Sequence, residues 1–281
     1  MTSNSSPDSL GIIAGRGVYP RLLAKSAKEQ GVKRIVVVAF KKETDPRIEE
    51  HADEIQWIYV GQLKAMIEAL KKSHIHKVVM AGQITPTHLF RVRMDQAMIS
   101  LLRPLKTRNA HTIFGAIAGE LKRSGIELKP ASLFMESSMP TPGVLGEKRP
   151  NKEQQQDIEL GIHVAKTISG LEIGQTVVIK EGTILAVEAF EGTDKTILRA
   201  GKLGGAGAVV VKVAKQNHDM RFDIPVIGER TLKILKKAKV SALAVEARRS
   251  ILLDKEKIIA QANRQGLCLV AVKVEQEASN E

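Results

Sequence analysis

Short aliphatic runs recur along this chain. Each leaves into a turn and then into a helix-spaced pattern, and this alternation restricts the fold more than any other feature. Residues 10–14 (LGIIA) read as a buried strand. Gly15, Arg16 and Gly17 follow, and Pro20 opens a helical pattern through Leu22, Leu23 and Ala27 that stops at Gly31. Further runs lie at 34–40 (RIVVVAF), 55–60 and 77–81 (KVVMA), with apolar helical spacing at 63, 66, 67 and 70 between the last two. Residues 94–103 and 110–123 also read as helices. Strands that alternate with helices at this spacing build βαβ units and a parallel sheet. The loops after the first and fourth strands, the second being 82–86, then share the carboxyl edge of that sheet, where α/β proteins bind ligands. Gly15, Arg16, Gly17 and Gly82 are therefore candidate ligand-binding residues, because a glycine turn ahead of a helix exposes N–H groups to an anion. A nicotinamide cofactor is not expected. Pro20 replaces the third glycine of the dinucleotide fingerprint, and Lys41-Lys42 follows the second strand where a ribose-binding acid belongs.

Residues 136–150 (ESSMPTPGVLGEKRP) are rich in proline and glycine and read as a linker. The expected organisation is a tail at 1–9, a Rossmann-like domain at 10–135, the linker, and a second α/β domain at 151–275. In the second domain Asn151 can cap a helix, and 176–179 and 183–187 form a hairpin about Glu181-Gly182. Apolar runs at 208–211, 242–245, 251–253 and 267–272 complete a mixed sheet. Glu188, Glu191 and Asp194 cluster after the hairpin, where Asp194 also suits a helix N-terminus. Residues 204–228 (GGAGAVVVKVAKQNHDMRFDIPVIG) carry a glycine turn, a buried strand and a loop of mixed charge: Lys212, Lys215, His218, Asp219, Arg221 and Asp223. Cations of this kind hold an anion such as phosphate, and carboxylates hold a metal or handle a proton.

The net charge of +12 favours acidic partners, but aromatic residues are only 3% of the chain. That leaves few platforms for stacking bases, and no nucleic-acid module is recognisable, so nucleic acid is not an expected partner. Cys268 stands alone, which excludes an intrachain disulfide and fits a reducing compartment. His74, His76, His88 and His111 are scattered without the spacing of a zinc site. No apolar run is long enough to span a bilayer, and a cytoplasmic protein is expected.

Four motifs occur in order: LGIIAGRGVYP, LEIGQTVVIKEGTILAVEAFEGTD, KVAKQNHDMRFDIPVIGERT and AVEARRSILLD. Together they resemble the UDP-2,3-diacylglucosamine pyrophosphatases of lipid A synthesis, in the form distinct from the metallophosphoesterases. The resemblance spans about residues 10–274. It implies two α/β domains and hydrolysis of UDP-2,3-diacylglucosamine to UMP and 2,3-diacylglucosamine 1-phosphate, with water attacking the sugar-proximal phosphorus. It also implies a divalent cation, usually magnesium (or manganese), and self-association, here taken as a homodimer. The family's key acid, in its R-x-D-x-P motif, falls on Asp223, with Asp219 as the fallback. Arg16, Gln216 and His218 depart from the family's usual residues. Lys212, Lys215 and Arg221 suit a diphosphate, and Asp223, Asp194 and Glu191 suit an oxygen-ligated ion. If 221–223 is extended, Arg221 and Asp223 share a face. The basic charge also suits an anionic inner-membrane surface, which allows peripheral contact with it. A non-catalytic protein holding a phosphorylated ligand is the alternative; it needs the glycine turns and lysines but not Asp223.

Overall fold

The computed structural model describes residues 7–84, 94–215, 219–222 and 224–274. The expected tail (apart from residues 7–9), Thr85 and Pro86 of the second glycine loop, His88, Gln216, His218 and Asp223 lie outside the described residues. The chain divides into two compact units. The first is Met1–Met135 with Asp219–Phe222, and the second is Glu136–His218 with Asp223–Glu281.

The first unit holds a five-stranded sheet in the order β3-β2-β1-β4-β5, every neighbouring pair parallel. Its strands are β1 (Ser9–Ala14), β2 (Arg34–Phe40), β3 (Glu54–Ile58), β4 (Lys77–Ala81) and β5 (Glu127–Leu128). This is the Rossmann-like arrangement, in which the strand order reverses between β1 and β4. β2 is buried along nearly its whole length, which explains its unbroken aliphatic run. Val36, Val38 and Phe40 face α2 (Leu63–Lys72), α3 (Gln96–Leu102) and α4 (Ala110–Arg123) through Leu63, Met66, Leu70, Leu102, Ile113, Ile117 and Leu121. Helix α1 (Tyr19–Glu29) packs against β1, β2 and β4. Ser9, assigned to the tail by sequence, opens β1 and pairs with Arg34.

The second unit holds a six-stranded mixed sheet in the order β6-β13-β11-β9-β7-β8. β9 (Val209–Lys212), β11 (Ala242–Glu246) and β13 (Cys268–Val272) are parallel; β6 (Gly143–Val144), β7 (Thr176–Lys180) and β8 (Thr183–Val187) join antiparallel. A small pair, β10 (Val226–Ile227) with β12 (Ile251–Leu252), stands apart. Period-two alternation sorts the strands' side chains. Val177, Ile179, Val209, Val211, Ala242 and Ala244 face α5 (Lys152–Gly170) through Ile158 and Ala165. Val178, Val210, Leu243, Val245 and Leu269 face α6 (Thr193–Gly204), α7 (Glu229–Lys237) and α8 (Lys255–Arg264). Each of these large aliphatic side chains contributes about 1.5–3 kcal/mol on burial.

Of two local features, the first differs from the sequence reading and the second agrees with it. Within the proline-rich stretch 136–150, β6 pairs with the last strand, and Leu145 N–H donates to Leu269 O at 2.9 Å. A sheet edge needs a ladder on one side only, so it accepts proline- and glycine-rich chain. At the β7–β8 hairpin, Glu181 (φ 50°) and Gly182 (φ 74°) both take positive φ, as a type I′ turn demands. Buried Asp157 of α5 accepts both turn amides, from Glu181 N at 3.0 Å and Gly182 N at 2.8 Å.

Candidate active site

The first unit's switch point lies at the carboxyl ends of β1 and β4, and the structure brings Gly15, Arg16, Gly17 and Gly82 together there. Gly15 N–H donates to Ala81 O at 2.8 Å, Arg16 N–H to Gln83 O at 2.6 Å, and Gln83 N–H to Arg16 O at 3.1 Å. The last two bonds make an antiparallel bridge. A Cβ on Gly15 would lie 2.6 Å from Gln83 O, and one on Gly82 (φ 89°) 2.7 Å from Arg16 O. These glycines therefore let two backbones approach closely. The amides of Gly15 and Arg16 face protein carbonyls, not an anion. Arg16 and Gly17 remain exposed, ahead of an α1 N-terminus that has no side-chain cap.

The carboxyl edge of the second sheet is richer. Lys212 ends β9 and is only 6% exposed. Its Nζ donates to Thr193 Oγ1 at 2.9 Å, and that hydroxyl donates to Glu188 Oε1 at 2.8 Å. Among the described residues no carboxylate lies within 4 Å of the Lys212 ammonium. Thr193 is the first residue of α6, whose N-cap, Gly192, offers no side chain. Gln175 Oε1 is also buried here without a hydrogen bond. Burying a cation costs several kcal/mol unless charge and hydrogen bonds compensate it. A lysine so placed, beside an open helix N-terminus, suits an incoming anion. Next to it Lys166 of α5 donates to Glu246 Oε2 at 2.7 Å and to Ala214 O at 2.8 Å. Burial pushes the Lys166 ammonium below the usual lysine range, against the pull of Glu246. Lys215 pairs with Glu172 at 2.9 Å.

The 219–222 segment is a turn closed by Phe222 N–H donating to Asp219 O at 3.2 Å, not the extended strand that would set Arg221 and Asp223 on one face. Asp219 and Arg221 form a forked pair with contacts of 2.6–3.1 Å. Hydrogen bonding from Arg221 holds the Asp219 carboxyl below the usual carboxylate range. Phe222 packs on Phe114 with ring centres 5.7 Å apart, and Met220 O accepts from Ala131 N at 2.6 Å. Tertiary packing and the acid two residues upstream decide the local shape.

The described residues assemble no metal cage. No group of three or more His, Cys, Asp or Glu side chains among them could hold an ion. Asp194 is paired with Arg230 at 2.7 Å and Glu191 with Arg199 at 2.8 Å. The Arg199 hydrogen bond, first of all, keeps the Glu191 carboxyl low. As they stand, these two carboxylates neutralise arginines; Asp223, the third expected ligand, lies outside the described residues.

Sequence reasoning picked out Lys212 but missed its partner Thr193 and gave no role to Lys166 or Glu246. Glu246 carries the one usable signal: a carboxylate closing a fully buried strand must have a partner. Lys166, eighty residues earlier on a polar-looking helix turn, carries none.

Residues 9–138 match the model of the LpxI N-terminal domain and residues 141–270 that of the LpxI C-terminal domain. The UDP-2,3-diacylglucosamine pyrophosphatase LpxI of Caulobacter vibrioides is 29% identical over 277 residues, covering 94% of this chain and 97% of that protein. Two solved structures that also match are more distant. The ADP complex of N5-carboxyaminoimidazole ribonucleotide synthetase is 16% identical with a TM-score of 0.29, over 74% of this chain and 47% of its own. The biotin carboxylase β,γ-ATP complex from Campylobacter jejuni is 15% identical with a TM-score of 0.29, over 72% and 43%. This chain spans less than half of either structure, and a likeness so slight carries no argument. The two domain models, end to end, take in almost the whole sequence: the chain belongs to the LpxI family.

Proposed function

We propose that this protein hydrolyses UDP-2,3-diacylglucosamine to UMP and 2,3-diacylglucosamine 1-phosphate, as a step of lipid A synthesis. The name of the Caulobacter relative supports the substrate. The observation that carries the chemistry is Lys212, a cation 6% exposed whose described partner is one neutral hydroxyl. Such a group is prepaid for a phosphate: its desolvation is spent on folding, and the diphosphate brings the missing negative charge.

Water attacks the sugar-proximal phosphorus. A new P–O bond forms as the bond from that phosphorus to the bridging oxygen breaks; the bridging oxygen leaves with UMP, and the water's proton passes to a base. Asp223 is the proposed base or water-orienting group, with Asp219 as fallback. Arg221 is a second phosphate contact, released from Asp219 as substrate binds. Magnesium or manganese dependence is part of the proposal. Magnesium uses one or two carboxylates and completes its shell with water and substrate phosphates, so it needs no all-protein cage. When bound it would offset charge on the diphosphate. Homodimer formation and peripheral contact with an anionic membrane surface are proposed too. The charge of +12 supports the second, and no described helix is long and apolar enough to cross a membrane.

The test is UMP release by the purified protein in ¹⁸O-labelled water. Label is expected in the sugar 1-phosphate, and label in UMP would move the attack to the other phosphorus. Excess EDTA should stop release and magnesium restore it. Asp223→Ala should lower turnover by at least ~10²-fold while the protein stays folded. A folded Asp223→Ala variant with near-native turnover would shift the role to Asp219.

A further inference from the structure

We propose that Thr193 and Glu188 are positioning residues for Lys212: Glu188 takes the Thr193 proton, and the hydroxyl, left as an acceptor only, fixes where the ammonium stands to meet the diphosphate. This rests on the reading above, that Lys212 holds that diphosphate.

The three side chains come from three elements of the second unit. Glu188 follows β8, Thr193 opens α6 and Lys212 ends β9. An ammonium only donates and a carboxylate only accepts, whereas a hydroxyl has one proton and two lone pairs. Thr193 Oγ1 lies 2.9 Å from Lys212 Nζ and 2.8 Å from Glu188 Oε1, so its proton goes to Glu188 and a lone pair receives Lys212. Buried Thr176 has its Oγ1 3.4 Å from the same oxygen and can then only donate to the second lone pair. Thr193 is thus saturated within the fold and keeps no proton for a substrate, which makes it a positioning group and not a contact. Lys212 is the reverse case. One of its three N–H groups is used, and the other two have no acceptor among the described residues.

Glu188 is itself held in place. Its N–H donates to Thr176 O at 2.9 Å, and its Oε2 accepts from Gln175 N at 3.4 Å. A Cβ on Gly174 would lie 2.2 Å from Glu188 O, so the two backbones meet with no room for a side chain between them. A carboxylate that served only to neutralise the lysine would bond it directly, as Glu246 bonds Lys166 at 2.7 Å on the same sheet edge. Such a pair leaves less charge for a second anion. With a hydroxyl interposed, the ammonium is oriented by a neutral atom while the carboxylate acts from one bond further away. The lysine is therefore fixed in place and still able to make a charge-assisted bond to phosphate.

The experiment compares Thr193→Val, Thr193→Ser, Glu188→Gln and Lys212→Met in the full-length chain with magnesium present. Thr193→Val and Glu188→Gln are also made on the Lys212→Met background. Three quantities are read: melting temperature, kcat/KM for UMP release, and the dissociation constant of UDP by calorimetry. Thr193→Val keeps the shape and removes the hydroxyl; kcat/KM should fall at least ~10-fold and UDP bind at least ~3-fold more weakly. Thr193→Ser returns the hydroxyl and should bring both to within about threefold of wild type. Glu188→Gln can donate to Thr193 as well as accept, so the direction of the hydroxyl is lost and kcat/KM should fall at least ~3-fold. A residue that acts through Lys212 has nothing to act on once the lysine is gone. On the Lys212→Met background both substitutions should therefore change rate and UDP binding by less than about twofold, whereas a residue serving only the fold costs the same on either background. Equal losses on the two backgrounds, or a folded Thr193→Val variant within about twofold of wild type in both readouts, overturn the inference. If Thr193→Val does not fold, Glu188→Gln decides by the same comparison. If wild type releases no UMP, the proposed function fails, while the UDP affinities still decide whether Thr193 acts through Lys212. If Lys212→Met changes neither rate nor UDP binding, the reading of Lys212 falls and the inference with it.

Discussion

Replacing Lys212 with methionine separates a lysine kept for an anion from one kept for the fold. Two bonds in series, 2.9 and 2.8 Å, link its Nζ through Thr193 to Glu188 Oε1. The ammonium is thus within about 6 Å of that carboxylate, an attraction of roughly 3 kcal/mol at an effective dielectric near 20. Its bond to the hydroxyl adds about 1.5–3 kcal/mol. Against this stands the desolvation of a nearly buried cation, itself several kcal/mol. The terms nearly cancel, so Lys212→Met should change stability by no more than about 2 kcal/mol, a few degrees in melting. On the proposed function the diphosphate then loses a desolvated charge contact, which costs about 2–5 kcal/mol. That converts to a fall in kcat/KM of about 30-fold to a few thousand-fold. Initial rates of UMP release and a thermal melt on the same preparation provide both numbers. A folded variant with kcat/KM within threefold of wild type refutes the role in binding. A melting loss larger than about 3 kcal/mol would instead show a lysine held for structure.

Gly82→Ala must strain a φ of 89° and place a Cβ 2.7 Å from Arg16 O, whereas Gly17→Ala, at φ 95°, meets nothing within 4 Å. Both should lower the melting temperature, Gly82→Ala by the equivalent of about 2–3 kcal/mol and Gly17→Ala by nearer 1. Asp157→Ala removes the acceptor of both hairpin amides and should cost about 1–3 kcal/mol in denaturant unfolding, with turnover at saturating substrate unchanged. The pH dependence of stability should carry Asp219. Its folded value is depressed by Arg221, so its contribution is complete above the ordinary carboxylate value near ~4 and is lost as pH falls through the folded one. Asp219→Asn should therefore flatten the loss of stability below about pH 4 in acid melts, and an unchanged acid profile would remove Asp219 from that account.

How much of this was legible in the sequence follows from where each feature's information resides. β2 was found residue for residue because a strand buried on both faces must be an unbroken aliphatic run. The Glu181-Gly182 hairpin was legible because a two-residue turn leaves its mark locally. β6 was hidden because an edge strand two residues long leaves no periodic mark, and its proline- and glycine-rich surroundings argue for a linker. Gly15 and Gly82 stand out in the sequence as glycines, and in the structure a Cβ on either would meet the facing backbone, which gives them a structural role the sequence does not reveal. A glycine turn that admits a phosphate and one that admits another backbone look the same in sequence; only the Gln83 and Arg16 carbonyls distinguish them. The turn at 219–222 brings Arg221 back onto Asp219, a pairing two residues apart that the sequence does not announce.

Lys212 is the instructive middle case. It was chosen for its charge, yet the stronger signal is its parity within VVVK. Val209 and Val211 point to α5, and Val210 points to α6 and its neighbours. Lys212 shares the parity of Val210, so strand geometry alone directs a lysine into an aliphatic layer. A cation there needs either a partner supplied by the fold or one supplied from outside. The helix on that side begins at Thr193 behind an N-cap without a side chain, and the described residues provide one hydroxyl and, one bond further, Glu188. The residue proposed to hold the substrate is therefore marked by a conflict between charge and strand parity, and a conflict of that kind can be searched for without any structure.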